Sequence, residues 1–476
     1  MRSRRFPVSA LVVLLALAAG AAWAQSEHWQ PLERIDVQPG GAASATRFAL
    51  AEASISDDGR WVVFSSSAAD LVAGDSNAQS DVFVRDRRNA STRRLSLRAD
   101  GSQALLPSYR AQATADGRFV TFVSNDSLLV GNDQNSAADQ FLLDRDADGN
   151  GILDEPGGTT MQLVSLNNAG TTFFNGAKRV IAAIDRSGNA VTFATLQPLA
   201  GNDNNSQPDV YVRDRITATT RLISQSTDGT VGNDQSPDFF APPLDISDSG
   251  KLVVFSSNAT NLDPASPGSG LGIFLRDRDS DGNGTPDEPG GSTTRRIHVA
   301  APGGAELPTG PFAQFDLSGD GRWMAIAASN AAGPNPVGTD IYRHDLGLDL
   351  DAPVVFVAAD WRKGNANCCG NQGPRISRQG DVLAFTSTQN YNFGGVNGGR
   401  SDVFVEAGAG TLTRITDSPV RASQDDGLSY GVMALSANGA YMVVGVAGAG
   451  TSAAPAEGFF VYQRDQVFEA AFDPQP

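Results

Sequence analysis

The stretch "DDGRWVVF", residues 57–64, is the first of seven similar units that decide the fold. Each unit is a short polar turn that ends in Gly and is followed by apolar residues that favour β-strands. The other six units are "ADGRFVTF", "RSGNAVTF", "DSGKLVVF", "GDGRWMAI", "RQGDVLAF" and "ANGAYMVV". The seven turn glycines are Gly59, Gly117, Gly188, Gly250, Gly321, Gly380 and Gly439. A repeat of this kind outweighs the domain count that length alone would suggest.

Each unit continues into further strand-like segments. One strand ends at the turn, the apolar burst is the second, the third resembles "DVFVRD" (81–86), and the fourth resembles "TRRLSL" (92–97). Several of these segments are apolar on both faces, as expected for small sheets packed between neighbours. The sequence therefore predicts an all-β, seven-bladed β-propeller of four-stranded blades. The predicted repeats are 48–104, 105–172, 173–230, 240–303, 310–360, 370–418 and 428–466.

Closure of the ring needs one more strand, because only six fourth strands follow their own units. The segment "ERIDV", Glu33–Val37, has the same Arg and apolar pattern and precedes the first unit. We expect this N-terminal strand to complete the last blade. The alternative is the C-terminal segment "VFEAAF", Val467–Phe472.

The turn, the apolar burst and the "DVFVRD...TRRLS" ending together resemble the TolB-type propeller family, which is related to the WD-repeat propellers. The resemblance covers nearly all of residues 25–476. The Ser-Pro-Asp-Gly turn of that family occurs here without Pro, as Ser56-Asp57-Asp58-Gly59. The resemblance implies a periplasmic or secreted scaffold that binds other macromolecules, and it implies no catalytic residue.

The N-terminus and the net charge limit where the protein acts. Residues 1–24 have a basic start, an apolar run and a small-x-small ending at Ala22-Trp23-Ala24, so we expect a secretory signal peptide. The net charge is -17, or -17 - 3 = -20 without Arg2, Arg4 and Arg5. Such acidity argues against nucleic-acid binding. No other apolar run approaches the length of about 20 residues that a membrane helix needs. We therefore expect a single monomeric propeller domain over 25–476, in the periplasm or the medium.

Two Asp-rich insertions occupy the longest intervals between turn glycines. They are "DRDADGNGILDEPGG" (144–158) and "DRDSDGNGTPDEPGG" (277–291), each between a third and a fourth strand. In calcium loops of the D-x-D-x-D-G kind, oxygens come from positions 1, 3, 5, 7 and 12. In the first copy these positions are Asp144, Asp146, Asp148, Asn150 and Glu155. In the second copy they are Asp277, Asp279, Asp281, Asn283 and Glu288.

Calcium and a plain turn are the two interpretations of each insertion. Asp, Asn and Gly are turn residues in any case, so both copies can be solvated turns. Three spaced carboxylates would repel one another without a cation, which favours Ca²⁺. A related Asp-x-Asn-x-x-x-Asp pattern begins at Asp75, Asp133 and Asp203, where an ion and an Asx-turn both explain the spacing.

Cysteine and histidine give little support for catalysis. Cys368 and Cys369 are the only cysteines, and a disulfide between adjacent residues would be strained. The three histidines, His28, His298 and His344, are scattered, and no catalytic motif is present. The sequence predicts a non-enzymatic binding protein with calcium loops that recognises a protein or a glycan. The alternative is a hydrolase or lyase that acts on a polysaccharide through carboxylates of the central channel.

Overall fold

The structure is a computed structural model that describes residues 29–44, 53–172, 182–237, 244–267, 271–299, 314–329, 339–347, 350, 354–358, 371–388, 401–407, 412–415, 429–447 and 458–464. These residues form 28 β-strands in seven four-stranded antiparallel sheets. The one helical element among them is a single 3₁₀ turn, Ser127–Leu129. The predicted all-β, seven-bladed propeller is confirmed.

Each sheet is one blade, and the first six blades take their strands in chain order. Blade 1 contains β2 (Ala53–Ile55), β3 (Trp61–Ser66), β4 (Asp81–Asp86) and β5 (Ser91–Arg94). Blade 2 contains β6 (Ser108–Ala113), β7 (Phe119–Ser124), β8 (Asp139–Asp144) and β9 (Thr160–Leu163). Blade 3 contains β10 (Ala182–Ile184), β11 (Ala190–Thr195), β12 (Asp209–Asp214) and β13 (Thr219–Leu222). Blade 4 contains β14 (Leu244–Ile246), β15 (Leu252–Ser257), β16 (Gly272–Asp277) and β17 (Thr293–Ile297).

The remaining blades follow the same plan. Blade 5 contains β18 (Gln314–Leu317), β19 (Trp323–Ser329), β20 (Thr339–Asp345) and β21 (Val355–Ala358). Blade 6 contains β22 (Asn371–Ile376), β23 (Leu383–Ser387), β24 (Asp402–Glu406) and β25 (Leu412–Arg414). Blade 7 contains β26 (Ser429–Leu435), β27 (Tyr441–Ala447) and β28 (Gly458–Arg464), and its fourth strand is the N-terminal β1 (Trp29–Arg34).

The N-terminal strand therefore closes the ring, as predicted, but its bounds differ from the predicted Glu33–Val37. β1 pairs with β28 from Trp29 opposite Arg464 to Arg34 opposite Phe460. Beyond Arg34, Ile35 N donates to Phe459 O at 3.0 Å, and the side chain of Asp36 then replaces the strand ladder by accepting from Phe459 N at 2.8 Å. The alternative closing segment, Val467–Phe472, lies outside the described residues.

The hydrophobic core is divided among the interfaces between adjacent blades. Seven buried clusters fill these interfaces among the described residues, one for each pair of neighbours around the ring. The cluster between blades 7 and 1, for example, joins Val443 and Phe459 to Val62 and Phe64. Central strands such as β3 and β7 are buried at every residue, which explains their continuous apolar sequence.

The repeated turn glycine is required by its conformation and by its neighbour. Gly117 has φ +73°, and a Cβ at this position would lie 2.7 Å from the indole of Trp61 in blade 1. Gly188 has φ +70°, and a Cβ there would lie 2.3 Å from the ring of Phe119 in blade 2. Because a positive φ and such close contact both disfavour a side chain, each turn fixes how one blade packs on the one before it.

Candidate cation loops and binding face

The two Asp-rich insertions emerge from the same face of the ring. The first joins β8, which ends at Asp144, to β9, which begins at Thr160. The second joins β16, which ends at Asp277, to β17, which begins at Thr293. Successive strands of a blade are antiparallel, so these connections leave on the same side as the turns between first and second strands. We call this side the insertion face.

A buried Arg–Asp pair holds each insertion in the same shape. Arg145 is fully buried and donates through Nε to Asp154 Oδ1 at 2.9 Å and through Nη1 to Gly117 O at 2.6 Å. Arg278 donates through Nε to Asp287 Oδ2 at 2.8 Å and through Nη1 to a turn carbonyl at 2.7 Å. Each insertion is therefore tied to the turn of its own blade.

The first predicted ligand of each insertion faces a cationic side chain of the protein. Asp144 accepts from Arg118 Nε at 2.8 Å and from Arg118 Nη2 at 3.0 Å. Burial alone would raise the pKa of Asp144, but hydrogen bonds from Arg118 and the backbone outweigh burial and lower it. Asp277 Oδ1 lies 3.8 Å from Lys251 Nζ. Asp144 and Asp277 therefore have their charge balanced within the protein.

The second predicted ligand closes a six-residue turn. Gly151 N donates to both carboxylate oxygens of Asp146 at 3.1 Å, and Gly284 N donates to Asp279 Oδ1 at 3.1 Å. Both glycines have φ +84°. Counted from Asp146, the first copy has the order Asp-x-Asp-x-Asn-Gly, which is the order of calcium loops with Gly at position 6.

The other three predicted ligands of each insertion lie together. Asn150 Nδ2 donates to Asp148 Oδ2 at 2.9 Å and also to Glu155 Oε1. The second insertion repeats this arrangement with Asp281, Asn283 and Glu288. The structure thus brings together the predicted residues at positions 5, 7 and 12 and places those at positions 1 and 3 in other hydrogen bonds.

The donor set of each insertion fits a hard cation in part. Asp148, Asn150 and Glu155 carry the oxygen ligands that Ca²⁺ prefers. In the part of the chain that the structure describes, no three His, Cys, Asp or Glu side chains form a group that could hold a metal ion. Calcium takes about six to eight oxygens, so backbone carbonyls and water would have to supply the rest.

A groove of about 650 Å³ lies beside the first insertion, between blades 1 and 2. The sequence did not predict this groove. The one feature of the sequence that points to it is the Arg after the turn Gly in both blades, Arg60 and Arg118. Arg60 pairs with Asp86 at 2.8 Å across the groove wall. The charged and polar lining residues are Asp58, Arg60, Asp86, Asn89, Ser91, Arg93, Asp116, Arg118, Asp146 and Asp154. Such a lining suits a ligand rich in hydrogen-bonding groups.

The inner strands place an acidic pair in the central channel. Asp245 of blade 4 accepts from Leu317 N at 2.8 Å, and Asp316 of blade 5 accepts from Ile376 N at 2.7 Å. Arg375 Nη1 lies 3.9 Å from Asp316 Oδ1. Burial, followed by the charge of Asp316, raises the pKa of Asp245 to about 7. The pair therefore takes up a proton more readily than an isolated Asp side chain does.

Two ion pairs on the insertion face join blades that are not neighbours in the ring. Arg186 of blade 3 pairs with Asp57 of blade 1 at 3.0 Å, and Arg378 of blade 6 pairs with Asp248 of blade 4 at 2.5 Å. Each pair passes over the blade between its partners. A Cβ at Gly319 of blade 5 would lie 2.6 Å from Asp248 Oδ2, so this Gly makes room for the second pair.

The described histidines have hydrogen bonds typical of packed side chains. His298 Nε2 lies 2.5 Å from Ser266 Oγ, and the buried His344 Nε2 lies 3.3 Å from Leu350 O. His28, Cys368 and Cys369 lie outside the described residues, so a disulfide between the two cysteines stays a prediction. Within the described residues, no helix has the length and apolar character needed to cross a membrane.

No protein-family model and no curated protein sequence matches this chain. Solved structures that match include TolB from Acinetobacter baumannii, at 14% identity and a TM-score of 0.37, over 70% of this chain and 58% of that one. The β-propeller domain of the Trilobed protease from Pyrococcus furiosus matches at 9% identity and a TM-score of 0.49, over 88% of this chain and 98% of that one.

An oligogalacturonate lyase from Vibrio parahaemolyticus matches at 10% identity and a TM-score of 0.49, over 92% of this chain and 97% of that one. The chain thus spans 58% of the length of the Acinetobacter TolB structure. At these identities the comparisons concern the fold alone. The protein is a seven-bladed β-propeller whose structural neighbours include TolB proteins, as its turn and strand signature predicted.

Proposed function

We propose that this protein is an exported, non-enzymatic β-propeller that binds a protein or glycan partner through its insertion face, with Ca²⁺ held in the two insertions. One observation carries this proposal. Both insertions have the same internally bonded structure on one face, and the first insertion forms a wall of the groove between blades 1 and 2. The predicted signal peptide and the resemblance to TolB-type propellers support a periplasmic or secreted location.

The groove is pre-organised for a polar ligand. Arg60 and Arg118 are each fixed by a carboxylate of their own blade, at 2.8 Å in both cases. Side chains that are already ordered lose little entropy when a ligand binds. Peptide amides and sugar hydroxyls both offer the hydrogen-bonding groups that such a lining can match.

Calcium would join the parts of each insertion that repel one another. In the first insertion we assign it to Asp146, Asp148, Asn150 and Glu155, and in the second to Asp279, Asp281, Asn283 and Glu288. Asp144 and Asp277 would support the loop from outside, since Arg118 and Lys251 face them. A bound divalent cation would offset the charge of the carboxylates and stiffen the groove wall.

A second candidate function is a hydrolase or lyase that acts on a polysaccharide in the central channel. It rests on Asp245 and Asp316, because one carboxyl of such a pair can hold a proton at neutral pH and act as a general acid. Turnover of a polysaccharide panel by the protein, lost in Asp245→Asn, would favour this candidate.

The binding proposal is tested with a matched pair of surface variants. Ile152 lines the groove and is 57% exposed, and Thr285 is its exposed counterpart in the second insertion. Immobilised protein is incubated with envelope and culture fractions and with a glycan array, in calcium or in chelator. We expect Ile152→Arg to abolish capture of a partner that Thr285→Arg still binds. Equal capture by both variants would contradict binding at this groove.

A further inference from the structure

Three blades carry two arginines, two residues apart, at the end of the third strand. The pairs are Arg85 and Arg87 in blade 1, Arg213 and Arg215 in blade 3, and Arg276 and Arg278 in blade 4. The first Arg of each pair lies opposite a Thr of the fourth strand, and the backbone N–H of the second donates to the residue after the turn Gly. The three pairs are therefore equivalent, and each can be compared with the other two.

In blade 1 a carboxylate from the preceding blade balances the pair. Glu33 Oε1 of β1 lies 3.4 Å from Arg87 Nε. Burial lowers the pKa of Arg85, and the charge of Glu33 partly offsets this effect. One acid therefore acts on both arginines.

In blade 4 the second insertion supplies the carboxylate. Asp287 accepts from Arg278 Nε at 2.8 Å. Burial lowers the pKa of Arg276, and the charge of Asp287 is the largest effect that opposes burial. The repeat thus places one acid beside the two arginines in two different ways.

Blade 3 has the two arginines but neither source of acid. No insertion follows its third strand, and the position of Glu33 is taken by Gln162 of blade 2. Glu33 lies opposite Val461 in blade 7, and Gln162 lies opposite Leu142 in blade 2. Val461 and Leu142 are equivalent, since each lies two residues before the residue that pairs with the first residue of the second strand. A neutral amide therefore replaces the carboxylate.

The guanidinium groups of this pair keep free donors. Arg213 donates once, from Nη1 to Thr220 Oγ1 at 3.0 Å. Arg215 donates from Nε to Gly188 O at 3.1 Å and from Nη2 to Asn189 Oδ1 at 3.0 Å. Within the described residues, these acceptors are all neutral, and the other nitrogens of both side chains have no acceptor. Two cations without an ion pair thus lie together in a chain of net charge -17.

Two carboxylates near the pair do not take the bridging position. Burial lowers the pKa of Arg213, and the charge of Asp214 offsets this in part, but the side of the strand that carries Asp214 packs against blade 4. Asp144 of blade 2 accepts from Arg118 at 2.8 and 3.0 Å, and no ion pair joins it to Arg215. The place of the bridging acid is therefore open to a ligand.

A pocket of about 380 Å³ lies between blades 2 and 3, and both arginines line it. Gln162 lines it too, while Leu142 and Val164 belong to its apolar wall. This volume is at the lower end of the range for small-molecule sites, about 300–1,000 Å³. The pocket therefore suits a small ligand with one charged end and an apolar body.

We propose that this pocket binds a small organic carboxylate. The carboxylate group bridges Arg213 and Arg215, in the place that Glu33 takes in blade 1, and the apolar body contacts the apolar wall. Guanidinium groups bind carboxylates through charge-assisted hydrogen bonds of matching geometry. The pocket includes neither insertion, and it is separate from the groove between blades 1 and 2, so this site is independent of the proposed function.

The test is isothermal titration calorimetry with sodium octanoate and sodium 3-phenylpropionate, at about pH 7.5, where both acids are ionised. We expect each to bind with a Kd of about 1 mM or below, the range for ligands of about ten non-hydrogen atoms. The matching neutral amides, and sodium sulfate as an anion without an apolar body, should bind about tenfold more weakly or not at all. Absence of binding by both carboxylates, or equal binding of the amides or of sulfate, overturns the proposal.

Variants show whether the missing acid defines the site. Gln162→Glu gives blade 3 the carboxylate that Glu33 gives blade 1, and we expect it to lower the affinity for both carboxylates about tenfold or more, whereas Gln162→Met should bind as the parent does. Arg213→Met should cause a similar loss, and Arg85→Met, the matched change in blade 1, should cause none.

Circular dichroism checks that each variant is folded. Because Gln162 is exposed, its two variants keep the test valid if an Arg variant does not fold. Binding that survives Arg213→Met, or that falls equally in Gln162→Glu and Gln162→Met, overturns the proposal.

Discussion

The two insertions share one internal structure but dock on their neighbouring blades by different contacts. In the first, the Arg145 guanidinium lies 4.4 Å from the ring centroid of Trp61 in blade 1. In the second, Ala190 of blade 3 stands at the position of Trp61, two residues after the turn Gly. Blade 3 instead carries a buried Asp185. Burial raises the pKa of Asp185, and hydrogen bonds from Ser187 and the backbone, followed by the charge of Arg278, partly offset that rise.

This difference separates what a local sequence encodes from what a neighbour contributes. The bonds from Arg145 to Asp154 and from Arg278 to Asp287 lie within each insertion, where the two sequences agree. The outer contact of each Arg depends on another blade. An aromatic ring in one case and a carboxylate in the other can each stabilise a buried guanidinium.

The largest effect is expected from removing the buried Arg. Arg145→Met and Arg278→Met should each lower the free energy of unfolding by about 3–5 kcal/mol, because a buried carboxylate loses its partner. The two losses should be similar, because each variant leaves one buried Asp, Asp154 or Asp287, without its cation. Urea unfolding at neutral pH measures both.

The pH dependence of these variants tests the charge explanation. In Arg278→Met the folded state raises the pKa of its buried acids, so the penalty is present above their unfolded pKa of about 4 and disappears below it. The loss should therefore shrink as the pH falls towards 4. The variant Arg118→Met is the control, because Arg118 is partly exposed in its pair with Asp144, and it should cost no more than about 1 kcal/mol. A loss independent of pH would mean that packing, and not charge, dominates.

The second effect concerns Trp61, whose ring is contacted by Arg145 and, at 4.2 Å, by Arg60. Trp61→Ala should cost about 3 kcal/mol through the cavity and the lost cation–π contacts. Calcium binding by the second insertion should stay unchanged, since blade 3 contacts it. Thermal unfolding of this variant measures the loss of stability, and calcium titration measures binding by each insertion. Equal loss of binding at both insertions would contradict separate docking.

The third effect is that of calcium itself. If Ca²⁺ binds only the folded state, each site adds about 2.7 kcal/mol at a hundredfold excess over its Kd. Asp148→Ala and Asp281→Ala should each remove one insertion's share of the rise in Tm, and the double variant should remove both. Identical melting curves of the parent in calcium and in chelator would exclude metal binding by the insertions.

The smallest effect shows whether the calcium ligands of the first insertion begin at Asp144 or at Asp146. Asp146→Asn should weaken calcium binding, because we assign Asp146 as a ligand, whereas Asp144→Asn should leave calcium binding unchanged. Asp144→Asn should cost at most about 1 kcal/mol through its pair with the half-exposed Arg118. The pKa of Asp144 is lowered by folding, so this contribution is present above pH about 4 and is lost below it. Isothermal titration calorimetry of the two variants with calcium decides between these two assignments.

Much of the fold followed from the sequence because its signals are local. A turn Gly with an apolar strand after it, repeated seven times, predicts both the strands and the number of blades. The N-terminal closure also followed from the count of fourth strands. The bounds of the closing strand did not, since Asp36 ends the ladder through a bond to Phe459, a partner more than 400 residues away in the chain.

The candidate sites were predictable only in part. The sequence identified the acids of the insertions, yet Asp144 is paired with Arg118 by a strand register that spacing along the chain does not show. The groove between blades 1 and 2 and the channel acids Asp245 and Asp316 depend on packing between blades. Side chains from different repeats are in contact there, and a local sequence motif does not predict contacts between repeats.

The sequence by itself determined the repeat, the turns and the internal bonding of each insertion, because hydrogen bonds between near residues and a positive φ at Gly depend on a few adjacent letters. Tertiary structure alone decided which charges meet. Arg94 lies between Asp75 and Asp81 in blade 1, whereas the same register position in blade 2 is Leu163. The sheet register sets these contacts, and their energy depends on burial, which only the closed ring creates.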